Sequence, residues 1–210
     1  MLHHFPKTTP AEVRDYLEWR RGRETYAVWV LGLEDERILE KFSAARAHLS
    51  SYLLEPYARQ PHITLFVCGF LVETPQHNDD FTVAQLENQL QALGEAGIQP
   101  FEIEIGGLNS FASAPFLEVN DPQRGIARLR EVLSNGAREF RTAPYTPHLT
   151  VGLYAGGFPS EEVVQRLRDF PADPIRLRVE KITFSSYRAQ EIAGLLTYRQ
   201  EISLENGSRA

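Results

Sequence analysis

The stretch Pro61-His62-Ile63-Thr64-Leu65 occurs a second time in the chain as Pro147-His148-Leu149-Thr150-Val151. Each copy has the order proline, histidine, aliphatic residue, threonine, aliphatic residue, and continues into a short apolar run, which is typical of a β-strand. Because side chains alternate between the faces of a strand, each histidine shares a face with its threonine, and the aliphatic residues occupy the other face. We therefore expect two strands that each bury an aliphatic face and present an imidazole beside a hydroxyl.

The same alternation makes predictions for the residues that follow the first copy. It places Val67 on the aliphatic face and Cys68 on the face of His62. Cys68 is the one cysteine of the chain, so an internal disulfide cannot form. We interpret Cys68 as a small buried hydrophobe rather than as a reactive thiol.

The spacing of the two copies indicates a duplicated domain. His62 and His148 lie 86 residues apart (148 − 62). This predicts one copy in each of two halves, about 26–110 and 111–204. A second interpretation, in which each histidine is merely a satisfied residue at a strand edge, accounts less well for a matched pair.

Helical and strand patterns alternate along the rest of the chain. Predicted helices cover residues 9–21, 34–54, 82–93, 121–133 and 160–170, and predicted strands cover residues 26–33, 101–105, 115–119, 175–184 and 195–204. We expect Thr9 to cap the first helix and Thr82 the third, which ends at Gly94 or Gly97. The order predicts an α+β fold, a bilobal pseudo-twofold repeat in which two antiparallel sheets face a central cleft with the helices on the outside.

Composition and charge set the expected domain organisation and location. Residues 26–204 are expected to form one bilobal domain after an N-terminal helical extension (1–25) with no role beyond packing, and before a short tail (205–210). The net charge of −6 disfavours a broad basic surface for long nucleic acid. The chain has no transmembrane-length apolar run and no secretory h-region at its N-terminus, so together with the single cysteine we expect a cytoplasmic protein.

Two histidines that face one cleft suit acid–base chemistry. An ordinary imidazole pKa of about 6.5 allows one of His62 and His148 to be neutral while the other is protonated. Such a pair can take a proton from an attacking oxygen and give one to a leaving oxygen, as phosphodiester transfer or hydrolysis requires. The hydroxyls of Thr64 and Thr150 can donate hydrogen bonds to the non-bridging phosphate oxygens. Which histidine is the acid and which the base is left open by the sequence.

The paired His-x-Thr motifs resemble those of the 2H phosphoesterase superfamily, specifically its bacterial branch of 2'-5' RNA ligases and RNA 2',3'-cyclic phosphodiesterases. The resemblance extends from about Tyr26 to Leu204. It implies a bilobal fold with the motifs in a central cleft, and catalysis that opens 2',3'-cyclic phosphates to 2'-phosphates or reversibly joins RNA ends through 2'-5' bonds. By position, it also implies that His62 and His148 are catalytic and that Thr64 and Thr150 bind phosphate.

The chain departs from some relatives in lacking an arginine shortly after the second motif, where it has Gly152-Leu153-Tyr154. Further substrate contacts are predicted at two tyrosines and three arginines: Tyr154, Tyr187, Arg59, Arg141 and Arg188. The arginines are the candidates for the missing charge. Tyr154 offers a hydroxyl or a ring for base stacking. Tyr187 and Arg188 follow a predicted strand end, where they can line the rim of the cleft.

The sequence supports a metal-independent enzyme that needs no cofactor and acts on an RNA end or a small cyclic nucleotide. We expect a monomer with no membrane association and no obligate protein partner. One alternative is a non-catalytic module of the same fold that binds nucleotides or RNA ends. Another is metal-dependent hydrolysis, which is weaker because neither motif has an adjacent acidic residue and no usual ligand spacing occurs.

Overall fold

The structure of the protein is a computed structural model that describes residues 1–140 and 144–204, so the tail predicted at 205–210 lies outside the described residues. The helices are α1 (Leu17–Arg20), α2 (Glu36–His48), α3 (Val83–Ala96), α4 (Gly125–Gly136) and α5 (Ser160–Arg168), and a 3-10 helix covers Leu2–His4. The strands are β1 (Thr25–Gly32), β2 (His62–Leu71), β3 (Asp80–Phe81), β4 (Phe101–Ser110), β5 (Pro115–Asn120), β6 (His148–Thr150), β7 (Ile175–Val179), β8 (Lys181–Arg188) and β9 (Thr197–Ser203). Among these helices, none has the length and apolar character needed to cross a membrane.

The described strands form one curled sheet. Their order is β7-β4-β5-β6-β2-β1-β8-β9, with β3 paired to β2. All neighbours along this order are antiparallel, and only the short β3 runs parallel to its partner. β7 is at one edge of the sheet, and β8 is the second strand from the opposite edge. A single residue, Glu180, separates these two strands in the chain. The sheet must therefore curl until its edges approach each other, which leaves a cleft on its concave side.

The sheet divides into two lobes at its centre. We call β2, β1, β8, β9 and β3 the first lobe, and β6, β5, β4 and β7 the second lobe. They are joined where β2 pairs with β6 through the residues Ile63 and Leu149. The α+β bilobal fold class predicted from the sequence is confirmed, with the two antiparallel half-sheets continuous across this one pair.

The lobes do not follow the two halves of the sequence. β4, which was expected with the first motif, belongs to the second lobe, and the hairpin β8–β9 returns to the first lobe beside β1. The predicted strand at 175–184 is two strands, because the chain passes from one lobe to the other at Glu180. A boundary near residue 110 therefore does not separate the lobes.

The helices pack on the convex side of the sheet. Apolar residues from α2, α4 and α5, such as Phe42, Leu133 and Leu167, share one buried core with Trp29 of β1. The predicted cap of α3 is confirmed, since Thr82 and Gln85 form a reciprocal capping box and Gly97 follows the last turn with a φ of 52°.

A buried amide ties α3 and α4 to the sheet. Gln89 of α3 accepts a hydrogen bond from the indole Nε1 of Trp29 at 2.8 Å and donates one to the carbonyl oxygen of Leu133 at 3.0 Å. Gln89 is fully buried, so both bonds replace contacts that its amide would otherwise make with water. This fixes the position of the helix pair against the back of β1.

A bulge in β2 changes the direction of its side chains. Val30 of β1 is opposite Thr64, but the preceding residue Trp29 is opposite Phe66, so Leu65 is an extra residue on β2. Both Leu65 and Phe66 are buried in the core on the helix side. The strict alternation of the sequence pattern is interrupted immediately after the first motif.

The bulge overturns the predicted placement of two residues. Val67, expected on the aliphatic face, lines the cleft, and Cys68, expected on the face of His62, packs in the core beneath the helices. Burial raises the pKa of the Cys68 thiol well above its usual value. The thiol therefore stays protonated at neutral pH, in agreement with its interpretation as a small buried hydrophobe.

The helix predicted to begin at Thr9 does not form. The amide of Thr9 donates to the carbonyl of Ala112 at 2.7 Å, and the amide of Ala11 donates to that of Tyr154 at 2.8 Å. These tertiary bonds take the place of helical hydrogen bonds, and α1 is limited to one turn at Leu17–Arg20. The residue types at 9–12 suit a helix start, but the hydrogen bonds to Ala112 and Tyr154 prevail over it.

Candidate functional site

The two motif strands meet with their histidines and threonines on one face. Because β2 and β6 are antiparallel and pair through the residues between them, the register places His62 opposite Thr150 and Thr64 opposite His148. Directly opposite residues have Cβ atoms about 5 Å apart. All four side chains are partly exposed and line the same cleft. The structure thus brings together the four residues that the sequence predicted as a site.

Both imidazoles are oriented in the same way. Nδ1 of His62 lies 2.7 Å from the carbonyl oxygen of Gln60, and Nδ1 of His148 lies 2.7 Å from that of Thr146. A carbonyl oxygen only accepts, so each Nδ1 carries a proton and donates it. This leaves Nε2 of each ring as the atom that can gain or lose a proton in the cleft.

The environment of His62 favours its neutral form. Burial lowers the pKa of His62 to about 4, partly opposed by the Gln60 carbonyl, while the charges of Arg59 and His148 lower it further. At neutral pH the ring is therefore unprotonated on Nε2. Such an imidazole can accept a proton but has none to give at that atom.

The loop before β2 is fastened to the loop between β8 and β9. The side-chain amide of Gln60 donates to the carbonyl of Leu196 at 3.0 Å and accepts from the amide of the same residue at 2.8 Å. Nε of Arg59 donates to the carbonyl of Gly194 at 2.9 Å. The guanidinium carbon of Arg59 lies 3.9 Å from the ring centroid of Tyr187. Both of these predicted contact residues, Arg59 and Tyr187, line the cleft.

His148 is held in an aromatic corner. The ring of Phe111 meets it edge to face with centroids 5.0 Å apart, and the ring of Phe116 lies 5.4 Å away. Such contacts fix the plane of the imidazole. Phe111 is in the turn between β4 and β5, where no local pattern in the sequence indicated a site residue.

Thr64 is positioned by a tyrosine from the connection that precedes β6. The hydroxyl of Tyr145 donates to the backbone carbonyl of Thr64 at 2.8 Å. Burial raises the pKa of the Tyr145 hydroxyl, so it remains protonated. The guanidinium carbon of Arg130 lies 3.7 Å above the ring of Tyr145.

Arg130 and Glu139 complete this support of β2. Glu139 accepts a hydrogen bond from the amide of Val67 at 3.0 Å and pairs with Arg130 at 2.7 Å, while Arg130 also donates to the carbonyl of Leu65. β6 has only three residues, so it does not pair with the rest of β2. Arg130 and Glu139 form hydrogen bonds with backbone groups of β2 beyond the end of β6. Sequence reasoning missed Arg130, Glu139 and Tyr145, because their role depends on where the connection folds.

Two predicted contact residues lie elsewhere. Tyr154 is fully buried and its hydroxyl lies 2.6 Å from Oγ of Ser110, because β6 ends at Thr150 and the strand alternation does not reach it. Arg188 is exposed, pairs with Glu191 at 3.0 Å and does not line the cleft. Arg141 lies outside the described residues.

The cleft is larger than the motif residues alone require. It encloses about 620 Å³, and its far end is lined by Tyr16 and Trp19 from the N-terminal segment. That segment was expected to have a packing role only. Within residues 1–140 and 144–204, no group of three or more His, Cys, Asp or Glu side chains is arranged to hold a metal ion.

Comparisons with solved structures show the fold. Escherichia coli LigT complexed with 3'-AMP superposes with a TM-score of 0.61 at 18% identity, over 86% of this chain and 98% of that chain. A crystal structure described as a phosphoesterase gives 0.59 at 17% identity, over 86% and 98% of the two chains. A protein from Thermus thermophilus gives 0.56 at 15% identity, over 85% and 97%.

The sequence comparison identifies the family. No curated protein sequence matches the chain significantly. The family model of the 2'-5' RNA ligase superfamily matches residues 34–191, which is most of the chain and includes both His-x-Thr motifs. The chain therefore belongs to the 2'-5' RNA ligase superfamily within the 2H phosphoesterases, a group of phosphoesterase and RNA ligase enzymes.

Proposed function

We propose that the protein is a metal-independent phosphoesterase that opens 2',3'-cyclic phosphates, on RNA ends or nucleotides, to 2'-phosphates. The observation that carries the proposal is the register of β2 and β6, which puts a histidine and a threonine of each motif on one face of the cleft. E. coli LigT has been crystallised with 3'-AMP and with ATP, which supports a nucleotide ligand for this relative. A monomeric, cytoplasmic protein without an obligate partner is part of the proposal.

The protonation state of His62 suggests which histidine is the base and which is the acid. Its Nε2 is unprotonated at neutral pH, so we assign His62 as the base that removes a proton from the attacking water. His148 then acts as the acid: Nε2–H protonates the 3' oxygen as its bond to phosphorus breaks, and the phosphate remains on the 2' oxygen. The proton lost by water and the proton gained by the 3' oxygen balance.

The threonines stabilise charge in this scheme. Each hydroxyl donates to one non-bridging oxygen of the phosphate, and the two hydroxyls approach from opposite strands. If the 5' hydroxyl of an RNA takes the place of water, the same proton transfers form a 2'-5' bond. The chemistry therefore accommodates both hydrolysis and reversible ligation.

The test is turnover of a nucleoside 2',3'-cyclic phosphate in the presence of a chelator, with the products separated by chromatography. We expect the wild type to form the 2'-phosphate. His62→Ala and His148→Ala should each lower kcat/KM by about 100-fold to 10,000-fold, because each removes one proton-transfer group. The double variant should be little worse than either single variant, since the two groups act as a unit.

His4→Ala provides a matched control, because His4 is exposed in the N-terminal 3-10 helix and lies outside the cleft. It should retain wild-type turnover. Wild-type activity in either motif variant would contradict the paired mechanism, and loss of activity in chelator would contradict metal independence. Tight binding of the 2'-phosphate with no turnover of the cyclic substrate would instead support a non-catalytic binding module.

A further inference from the structure

The N-terminal segment is attached to both lobes. We call residues 6–24 the strap. At its beginning, Thr8 donates through its amide to the carbonyl of Phe158 at 2.9 Å and through Oγ1 to the carbonyl of Gly156 at 2.7 Å. The amide of Ser160 donates to the carbonyl of Pro6 at 3.1 Å. Thr8 is almost completely buried, so this end is fixed beside β6 and α5 in the second lobe.

The end of the strap is fixed to the first lobe. Arg23 pairs with Asp79 at 2.6 Å and with Asp80, and its guanidinium carbon lies 3.8 Å from the ring centroid of Phe70. Arg23 also donates to the carbonyl of Trp19 at 2.9 Å, which holds the short helix α1 in place. Only 9% of the Arg23 side chain is exposed, so these ion pairs are shielded from solvent.

Between its two attachments the strap crosses the cleft. Tyr16 and Trp19 lie on this crossing and form part of the cleft wall. The ring of Trp19 packs against Tyr26, with centroids 5.0 Å apart, and Tyr26 packs against Tyr187 at 5.4 Å. Arg59 lies on the ring of Tyr187. The result is a continuous aromatic wall that is built from the strap, β1 and β8.

This wall lies further along the cleft than the motif residues. Val30 of β1 is opposite Thr64, and Tyr26 is four residues back along the same strand. At about 3.3 Å per residue, the backbone of Tyr26 lies roughly 13 Å along β1 from the level of Thr64, and the side chains of the wall project from there into the cleft. A phosphate held by the motif residues leaves this end of the cleft open to another part of the same substrate.

We propose that Tyr16 and Trp19 of the strap, together with Tyr187, form a base-binding subsite that stacks the nucleobase next to the reacting phosphate. The inference rests on the proposed function and specifies its substrate class as nucleotides or RNA ends rather than sugar cyclic phosphates. Arg14 covers one face of the Tyr16 ring and Arg59 covers one face of the Tyr187 ring, so a base would stack on the opposite faces. An aromatic face accepts any base, so the subsite selects for a base but not for its sequence. Tyr16 and Trp19 precede residue 34, where the match to the family model begins, whereas Tyr187 lies within the matched range, so the strap adds two rings from outside that match.

The experiment compares adenosine 2',3'-cyclic phosphate with 1-O-methyl-ribose 2',3'-cyclic phosphate, which carries the same reacting group and no base. Trp19→Ala should raise KM for the adenosine substrate about tenfold with kcat little changed, because one stacking contact is lost. It should leave both constants for the base-free substrate within about twofold of wild type, since that substrate makes no such contact. Trp19→Phe, which keeps a ring, should recover most of the affinity.

Leu17→Ala is the matched control, because Leu17 is in the same helical turn, is 61% exposed and does not line the cleft. Tyr16→Ala is a second test variant in case Trp19→Ala lowers the melting temperature. Wild-type enzyme that treats both substrates alike would overturn the subsite and leave the proposed function standing. An equal rise of KM for both substrates in Trp19→Ala would also overturn it, since that is the result of a purely structural role.

A failure of the proposed function can be distinguished from a failure of the base-binding subsite. If the wild type turns over neither substrate, calorimetric titration with adenosine 2'-phosphate and with 1-O-methyl-ribose 2'-phosphate decides the matter. Tighter binding of the adenosine compound that Trp19→Ala abolishes would support the subsite in a non-catalytic protein. Equal binding of both ligands would overturn it.

Discussion

The strands β2 and β6 carry the same motif in different settings. β2 has ten residues, and its histidine is preceded by a loop that is fastened through Gln60 and Arg59. β6 has three residues, and its histidine is held by aromatic rings instead. Each imidazole nevertheless donates Nδ1–H to the carbonyl two residues earlier in the chain. The repeat thus preserves the orientation of the ring and varies what surrounds it.

That difference supports the different roles that we propose for the two histidines. Burial and the nearby guanidinium of Arg59 keep His62 neutral. His148 is next to the faces and edges of two phenylalanine rings, and its strand ends immediately afterwards. A pseudo-twofold site can therefore assign one ring as base and the other as acid without changing the motif itself.

The largest effect expected from the contrast between β2 and β6 concerns pH. If His62 is the base, the acidic limb of kcat/KM lies near pH 4, because the ring is unprotonated above that value. An ordinary imidazole with a pKa of about 6.5 would be only about 3% neutral at pH 5, so the predicted activity there is roughly thirtyfold higher than for an unperturbed base. A pH series of kcat/KM measures this.

Stability should be measured in parallel. The pKa of His62 is lower in the folded state than in the unfolded state, so between these two pKa values the unfolded state binds more protons. The free energy of unfolding should therefore fall as the pH decreases from about 6.5 towards about 4. Thermal melts at each pH separate this loss from the kinetic limb. An acidic limb at about pH 6.5 in a fully folded protein would reject the assignment of His62 as the base.

A smaller effect is expected at the threonines. Thr64→Val and Thr150→Val keep the side-chain shape and remove one donor to the phosphate, at a cost of about 1.5 kcal/mol or roughly tenfold in kcat/KM each. Steady-state kinetics on the cyclic substrate measures both. Thr197→Val, at the exposed start of β9, serves as the control. A tenfold loss at one threonine and none at the other would show that only one motif contacts the phosphate.

The smallest effect should come from the support of β2. Tyr145→Phe removes only the hydroxyl that donates to the carbonyl of Thr64, a hydrogen bond of about 1 kcal/mol. We expect kcat to fall about fivefold with KM nearly unchanged, because the threonine is displaced rather than removed. An equal fall in kcat when Tyr145→Phe is made in the Thr64→Val background would show that the hydroxyl acts on something other than the Thr64 side chain.

Local patterns predicted what depends on local chemistry. The two motif strands and the cap at Thr82 were recognised correctly, and α3 ends at Gly97, one of the two glycines predicted to close it, because each feature is decided by a few neighbouring residues. The meeting of the four motif residues was also predicted, since the strand period fixes the face of each side chain. Tyr187 and Arg59 were both predicted as substrate contacts and both line the cleft.

What was missed depends on distant partners. The bulge at Leu65 is imposed by the pairing of β2 with β1, and it reverses the faces of Val67 and Cys68. Thr9 has the chemistry of a helix cap, but its amide is taken by Ala112 in the turn between β4 and β5. The burial of Tyr154 follows from the early end of β6. None of these outcomes is visible in a short window of sequence.

Each lobe contains strands from both halves of the sequence, and this limits how such a protein can evolve by recombination. A gene fragment that ends after β4 would encode a strand without its neighbours β5 and β7, and would leave β1 without β8. A fragment that begins there would carry the hairpin β8–β9 without the strand that it pairs with. The repeat in the sequence therefore does not correspond to two modules that recombination can exchange, and the two His-x-Thr motifs have to evolve together.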